Sequence, residues 1–93
     1  MLFYVIVYDI PCNKRRQKVH DLLKAYGTWV QYSTFECRLT QSKFKELCQK
    51  LRKKVNFSQD SLRFYPLSSH TMLQIQSWGI GPPTSRVPES VVI

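Results

Sequence analysis

The amino-acid sequence predicts an α+β domain in which two helices cover one face of an antiparallel β-sheet. The prediction rests on an apolar run near the N-terminus, two segments with apolar side chains at helical spacing, and β-rich segments between and after them. The chain has 93 residues, of which 43% are hydrophobic and 13% aromatic. This length and composition indicate one small folded domain and exclude a disordered tail.

The first strand and the first helix have clear boundaries. Leu2–Tyr8 is a continuous apolar run that ends at Asp9, so we expect a central strand buried on both faces. Asn13 is the expected N-cap of a helix over 14–26, and Gly27 is its expected C-cap. The apolar stripe of this helix is formed by Val19, Leu22, Leu23 and Tyr26.

The middle of the chain predicts two strands and a second helix. The segment 28–40 is long for one strand, so we expect strands at roughly 28–32 and 33–40 joined by a tight or bulged connection. Thr40 or Ser42 then caps the second helix. Its apolar positions recur at helical spacing and are Phe44, Leu47, Cys48, Leu51 and Val55.

The last third of the chain predicts two further strands, Ser61–Leu67 and Thr71–Gln76. Residues 1–78 then form the domain, and 79–93 form a Gly- and Pro-rich linker with a short apolar terminal strand. The element order β-α-β-β-α-β, followed by extra strands, is the ferredoxin-like or split βαβ arrangement.

The predicted first strand is apolar on both sides, whereas two helices cover only one face of the sheet. Small domains bury a limited share of their surface, and a second copy of the same sheet would cover the open face. We therefore expect a face-to-face homodimer. A lone terminal strand is unstable by itself, so it must pair with its own sheet or with the partner subunit's sheet.

Charge and cysteine content narrow the class of protein. The chain carries 14 Lys and Arg residues against 6 Asp and Glu, a net charge of +8, which indicates a polyanionic partner. Three cysteines without a CxxC pair argue against a disulfide framework and against a zinc site, and they suit a reducing cytoplasm. No apolar run approaches the ~18 residues of a membrane span, so we expect a cytoplasmic protein without membrane contact.

Asp9 is the strongest candidate for chemistry, because an ionised carboxylate at the end of an apolar strand is costly without a partner. One interpretation is that Asp9 caps the turn that follows. The other is that it binds Mg²⁺, which prefers carboxylate oxygens and water. A second carboxylate would then come from Glu36 on the neighbouring strand or from Asp9 of the partner subunit.

Basic residues form two candidate surfaces for phosphate. Four of them crowd the first turns of the first helix, where the helix dipole disfavours cations and free N–H groups favour phosphate: Lys14, Arg15, Arg16 and Lys18. The second helix adds a basic face that includes Lys43, Lys50 and Lys54, and Arg38 adds to the excess on a strand. A solvated surface is the alternative interpretation of both.

Aromatic and histidine residues leave alternatives open. Tyr8, Trp29, Tyr32 and Phe35 could stack on bases, although most aromatic residues of a small sheet are core residues, and Phe35 is assigned to the core on the pattern alone. His20 has no Ser, Cys or His at a motif spacing and is expected at the surface.

Four motifs stand along the chain: FYVIVYDI at 3–10, RR-x-KV-x-x-LL at 15–23, YG-x-x-VQYS-x-FE at 26–36 and R-x-YPL at 63–67. Together they resemble the small CRISPR-associated endoribonuclease family, the smaller of the two proteins common to CRISPR spacer acquisition. The final VPESVVI is similar to the terminal strand of that family. The resemblance covers nearly the whole chain, and the motifs stand in the right order and spacing.

The resemblance implies a homodimer whose terminal strands extend the partner's sheet, and a Mg²⁺ held by Asp9 of both subunits at the interface. It implies a metal-dependent endonuclease that acts on single-stranded RNA or double-stranded DNA. It also implies a dimer that bridges two dimers of the CRISPR integrase and holds the protospacer duplex. Arg15, Arg16 and Phe35 match family positions considered functional.

One departure from the family pattern affects the expected activity. The family often has Arg where this chain has Trp29, and Trp supplies no charge for a phosphate or a transition state. The alternative function is therefore a catalytically silent DNA-binding scaffold in the same complex. An RNA-recognition module ranks last, because the predicted third strand lacks the RNP1 pattern.

Overall fold

A computed structural model describes residues 1–82, which form one four-stranded sheet in the order β2-β3-β1-β4. The strands are β1 (Leu2–Asp9), β2 (Thr28–Gln31), β3 (Thr34–Leu39) and β4 (Ser61–Leu67), and the helices are α1 (Asn13–Tyr26), α2 (Gln41–Arg52) and α3 (Ser69–Met72). The predicted β-α-β-β-α-β order is confirmed. The predicted terminal strand lies outside the described residues. Within residues 1–82, no helix combines the length and apolarity needed to cross a bilayer.

The central strand is β1, as its apolar sequence predicts. It pairs antiparallel with β3, from Leu2 opposite Leu39 to Val7 opposite Thr34. On its other side it pairs antiparallel with β4, ending where Asp9 lies opposite Ser61. Because both edges of β1 are hydrogen-bonded to neighbours, its position is fixed along its full length.

Alternation along β1 separates a helix-covered face of the sheet from an uncovered one. Ile6 and Tyr8 pack into the core that α1 and α2 close from one side. The other core members come from both helices and from β3, and they include Val19, Leu23, Phe35, Cys37, Leu47 and Leu51. Val5 and Val7 face the opposite way and are only half-buried. We call this second side the open face.

Two sequence predictions are wrong. Asn13 is the first helical residue of α1 rather than its N-cap, which is Cys12 with no side-chain capping hydrogen bond. The segment Thr71–Gln76 contains no strand, because Ser68 caps the short helix α3 and accepts a hydrogen bond from the backbone N–H of Thr71 at 3.0 Å. The alternating pattern of this segment is therefore overridden by a local cap.

The β2–β3 connection is a tight, bulged turn, as predicted. The register shifts between Trp29 and Gln31, and Tyr32 has a φ of 42°, in the left-handed region that side chains other than glycine rarely adopt. The indole Nε1–H of Trp29 donates to the carbonyl oxygen of Tyr32 at 2.9 Å and holds this conformation. Both aromatic side chains are exposed, Trp29 by 48% and Tyr32 by 87%.

Gly27 is confirmed at the C-cap of α1, where its N–H donates to the carbonyl oxygen of Leu23 at 2.8 Å. A Cβ added here would lie 2.5 Å from the carbonyl oxygen of Glu36 and would clash with the sulfur of Cys37. We expect Gly27→Ala to lower the free energy of unfolding by about 1–3 kcal/mol, the range for overpacking a filled site. Urea unfolding followed by circular dichroism measures this change.

The control for that experiment is Lys18→Ala, which alters an exposed side chain on the same helix. We expect it to change the free energy of unfolding by no more than about 0.5 kcal/mol. Equal unfolding midpoints for Gly27→Ala and the wild type would contradict the close approach of α1 to β3.

Candidate functional site

Asp9 ends β1 with an exposed side chain, on the same side of the strand as Val5 and Val7. Its carboxylate therefore lies on the open face, where a ligand or a second copy of the chain can reach it. Within residues 1–82, no group of three or more His, Cys, Asp or Glu side chains could hold a metal ion. One subunit thus offers a single carboxylate at this position.

The register of the sheet decides between the two candidates for a second carboxylate. Glu36 lies opposite Val5, four residues along β1 from Asp9. Four residues of strand span about 13 Å, too far for both carboxylates to coordinate one ion. Of the two candidates, only Asp9 of a second copy remains. Mg²⁺ is commonly held by one or two carboxylates and water, so such a pair would fit it.

Arg15 is committed to a structural ion pair. Its Nε and Nη2 each lie 2.9 Å from an oxygen of Asp60, and Nη2 also donates to Gln59 at 3.2 Å. The Asp60 side chain is 1% exposed and also accepts the backbone N–H of Asn56 at 2.8 Å. The Arg15 guanidinium holds the pKa of Asp60 below its ordinary value. Arg15 therefore anchors α1 to the loop before β4.

Arg16 is also engaged with the protein. Its Nη1 donates to the carbonyl oxygen of Ile10 at 2.8 Å, and its Nη2 contacts Asn13 Oδ1. Ile10 directly follows Asp9, so Arg16 fixes the backbone that leaves the candidate metal ligand. As a whole residue, Arg16 is half-buried.

A cluster of rings lies between β1, α1 and β3. The hydroxyl of Tyr8 is 3.1 Å from Nδ1 of His20, and the His20 ring packs edge-on against Phe35 at a centroid distance of 5.2 Å. Burial raises the pKa of Tyr8, against the opposing effects of a hydrogen bond with Ser33 and the charge of Arg16. Tyr8 thereby connects α1 to the β2–β3 turn.

This cluster corrects one expectation and confirms another. His20 is half-buried against core rings rather than fully exposed. Phe35 is completely buried, which confirms the core position that the pattern predicts, and in this structure its ring packs against Tyr8 and His20 and is not accessible to a phosphodiester. Of the four candidates for base stacking, Tyr8 and Phe35 are core residues, whereas Trp29 and Tyr32 are exposed.

Some of the basic side chains contact other groups of the protein, whereas others are exposed to solvent. Lys14 and Lys18 of α1 are exposed. On α2, Lys43 forms an ion pair with Glu46 at 3.3 Å, and Lys50 lies over the ring of Tyr26 at 5.4 Å.

The network around Glu46 links the two helices. The hydroxyl of Tyr26 donates to Glu46 at 2.6 Å, and this bond, followed by the contact from Lys43, lowers the pKa of Glu46.

Two further candidates for phosphate contact are half-buried: Lys54 follows α2, and Arg38 lies opposite Phe3 on the open face, away from the helices.

Two residues that shape the site were missed from the sequence. Asp60 and its partner Arg15 are 45 residues apart, and no local pattern connects them. His20 lies one turn after Arg16 on α1, at the same helical spacing as the apolar stripe. That spacing is the signal that could have placed it against the core.

The sheet order with α1 and α2 on one face defines the ferredoxin-like class of small α+β domains. At one end of the central strand β1 lies the carboxylate of Asp9, and basic residues follow on α1. Residues 1–75 match the family described as CRISPR associated protein Cas2. The chain belongs to this family.

Relatives and solved structures agree with that membership. The chain is 55% identical, over the full length of both chains, to a Synechocystis protein named CRISPR-associated endoribonuclease Cas2 3. A solved hypothetical protein from Thermus thermophilus superposes with a TM-score of 0.79 at 38% identity, covering 90% of this chain and 98% of that one. A chain in a partial Cas6-RT-Cas1–Cas2 complex gives a TM-score of 0.75 at 32% identity, covering 100% of both.

The ion pair between Arg15 and Asp60 predicts a dependence of stability on acid. The folded-state pKa of Asp60 lies below its ordinary value of 3.8, so the pair contributes fully above that pH. Its contribution is lost as the pH falls through the lower, folded-state pKa. We expect Asp60→Asn to lower the urea midpoint at pH 6 and to flatten the loss of stability between pH 4 and pH 2.

Asp21→Asn is the matched control, because Asp21 is an exposed carboxylate on α1 whose contact is a surface hydrogen bond from Gln17. Asp21→Asn should leave the urea midpoint at pH 6 and the loss of stability between pH 4 and pH 2 close to those of the wild type. Coincident stability curves for Asp60→Asn and the wild type would show that the pair adds nothing to the fold.

Proposed function

We propose that this chain acts in CRISPR spacer acquisition as a homodimer that holds nucleic acid and bridges dimers of the CRISPR integrase. Membership of the Cas2 family supports this role, and the related chain in the partial complex is assembled with Cas1. We further propose that the dimer is a Mg²⁺-dependent endonuclease for single-stranded RNA or double-stranded DNA. The observation that carries this second part is the exposed Asp9 carboxylate on the open face of the sheet.

Dimerisation through the open face is supported by the side chains that this face leaves in solvent. Val5 and Val7 are half-buried although they belong to the central strand, and Tyr65 beside Val5 is 46% exposed. A second sheet packed on this face would remove their apolar surface from water, the main favourable term in association. With a two-fold axis passing near the ends of the two β1 strands, the same packing would bring the two Asp9 residues together. Pairing of 79–93 with the partner's sheet remains part of the proposal.

The proposed mechanism assigns different tasks to the residues around Asp9. Asp9 of both subunits would hold Mg²⁺, which, when bound, supplies positive charge that polarises the scissile phosphate. Arg16 holds the carbonyl oxygen of Ile10 and so orients the backbone next to Asp9. Arg15 acts as a positioning residue through Asp60. Lys14 and Lys18 are exposed and available for phosphate oxygens.

A catalytically silent scaffold is the second candidate function, and the arginine contacts favour it. The guanidinium groups of Arg15 and Arg16 both donate hydrogen bonds to acceptors within the protein. Trp29 occupies the position where the family often has Arg. Few cations therefore remain beside Asp9 to stabilise charge that develops on a phosphate in the transition state. Binding of a nucleic-acid backbone does not require them, because that affinity is spread over many residues.

Asp9→Asn separates the nuclease from the scaffold. If Asp9 binds Mg²⁺, we expect cleavage of single-stranded RNA or duplex DNA to fall by at least about 10–100-fold, the loss typical even of outer-shell changes at metal sites. Duplex binding should stay within twofold of the wild type. The assay is a Mg²⁺ titration of gel-resolved cleavage, with Asp21→Asn as the matched control. Cleavage that survives in Asp9→Asn would refute the proposed metal ligand.

The exposed lysines of α1 predict a change in the salt dependence of DNA binding. If Lys14 and Lys18 each contact a phosphate, the double substitution to Gln should reduce the slope of log K against log salt by about 2. Fluorescence anisotropy with a labelled duplex at several salt concentrations measures the slope. Gln41 and Gln49 on α2 are exposed and uncharged, and Gln41→Ala with Gln49→Ala serves as the control pair. An unchanged slope in the lysine variant would exclude Lys14 and Lys18 from the DNA surface.

A further inference from the structure

We propose that Trp29 and Tyr32 form a stacking site for an unpaired nucleobase at the β2–β3 turn. The inference rests on the proposed binding of nucleic acid and adds a stacking contact with a base to the contacts with phosphates. Base binding at this turn requires neither cleavage nor a metal ion.

The first observation is the exposure of two large rings at one tight turn. Tyr32 is 87% exposed and Trp29 is 48% exposed, whereas the other aromatic residues of the same sheet region, Tyr8 and Phe35, are buried. Exposed aromatic rings cost hydrophobic free energy unless a ligand covers them. A nucleobase is a flat ring of matching size, and stacking tolerates every base because each has a π-face.

The second observation is that the turn fixes the Trp29 ring and the backbone of Tyr32. Tyr32 is kept at a φ of 42°, which a glycine would adopt without strain. The Trp29 indole N–H donates to its carbonyl oxygen at 2.9 Å, so one aromatic side chain fixes the backbone of the other. The Trp29 ring also contacts His20 of α1 edge-on at 6.4 Å. A preorganised ring loses little freedom when a base stacks on it.

The third observation places the turn beside Asp9 and the start of α1. The backbone N–H of Tyr8 donates to the carbonyl oxygen of Ser33 at 3.0 Å, and Asp9 is the next residue along β1. Arg16 of α1 donates to the carbonyl oxygen of Ile10, which follows Asp9, at 2.8 Å. A strand whose phosphates lie along the cations of α1 would therefore bring a base to the turn. Charge complementarity with a chain of net charge +8 favours a nucleic acid over a neutral peptide.

The test compares a single-stranded oligonucleotide with an abasic strand of the same length, which keeps the phosphates and removes the bases. Both DNA and RNA versions are used, because either can supply an unpaired base. We expect the wild type to bind the base-bearing strand about 5- to 150-fold more tightly, the range for loss of one stacked base. Fluorescence polarisation competition against a labelled duplex measures each affinity.

The variants keep the fold intact while changing the ring. Tyr32→Gly removes the ring and suits the left-handed backbone, so it should fold at least as well as the wild type and lose most of the preference for bases. Tyr32→Phe should retain that preference. Phe57→Ala removes a ring that is 74% exposed in the loop after α2, and it should leave the preference unchanged.

The outcomes distinguish this inference from the proposed function. Equal affinity of the wild type for base-bearing and abasic strands, with duplex binding intact, would overturn the stacking site alone. A preference that survives in Tyr32→Gly combined with Trp29→Leu would do the same. No binding of any strand or duplex would overturn both proposals. Loss of integrase association in Tyr32→Gly, without any preference for bases, would assign the turn to protein recognition instead.

Discussion

The antiparallel pairing of β1 between β3 and β4 is the constraint on which the rest of the structure depends. Because both edges of β1 are hydrogen-bonded, its side chains from Val5 to Asp9 alternate between two environments. Ile6 and Tyr8 fill the core under the helices, whereas Val5, Val7 and Asp9 face the open side. A slip by one residue would exchange these sets, so the same pairing that builds the core also presents the carboxylate.

Charge in this molecule serves both the fold and the surface, and a high net charge does not tell the two uses apart. Arg15 and Arg16 hold the ends of loops, and Lys43 and Lys50 take part in the network that joins α1 to α2. The lysines left exposed on α1 are then the better candidates for phosphate contact. This division favours distributed binding of a backbone over a concentrated catalytic cation cluster.

Local sequence patterns predicted most of the fold and only part of the site. Apolar periodicity identified β1, both long helices and β4, because an element that buries one face needs apolar side chains at a regular local spacing. It failed at Thr71–Gln76, where the cap at Ser68 outweighs an alternating pattern. It could not find the contact of Arg15 with Asp60 or of Tyr8 with His20, because tertiary contacts between distant segments leave no local spacing. Asp9 stands out as a candidate because a charge ends an apolar strand, and its role as a metal ligand stays a prediction.

The central claim is that two copies meet through the open face and share one cation between their Asp9 carboxylates. Its most direct test is the stoichiometry of Mn²⁺ binding, used as a spectroscopic substitute for Mg²⁺ and followed by electron paramagnetic resonance. We expect one Mn²⁺ for every two chains, with the signal of bound ion lost in Asp9→Asn. One Mn²⁺ per chain, or binding that persists without Asp9, would contradict a shared site at this interface.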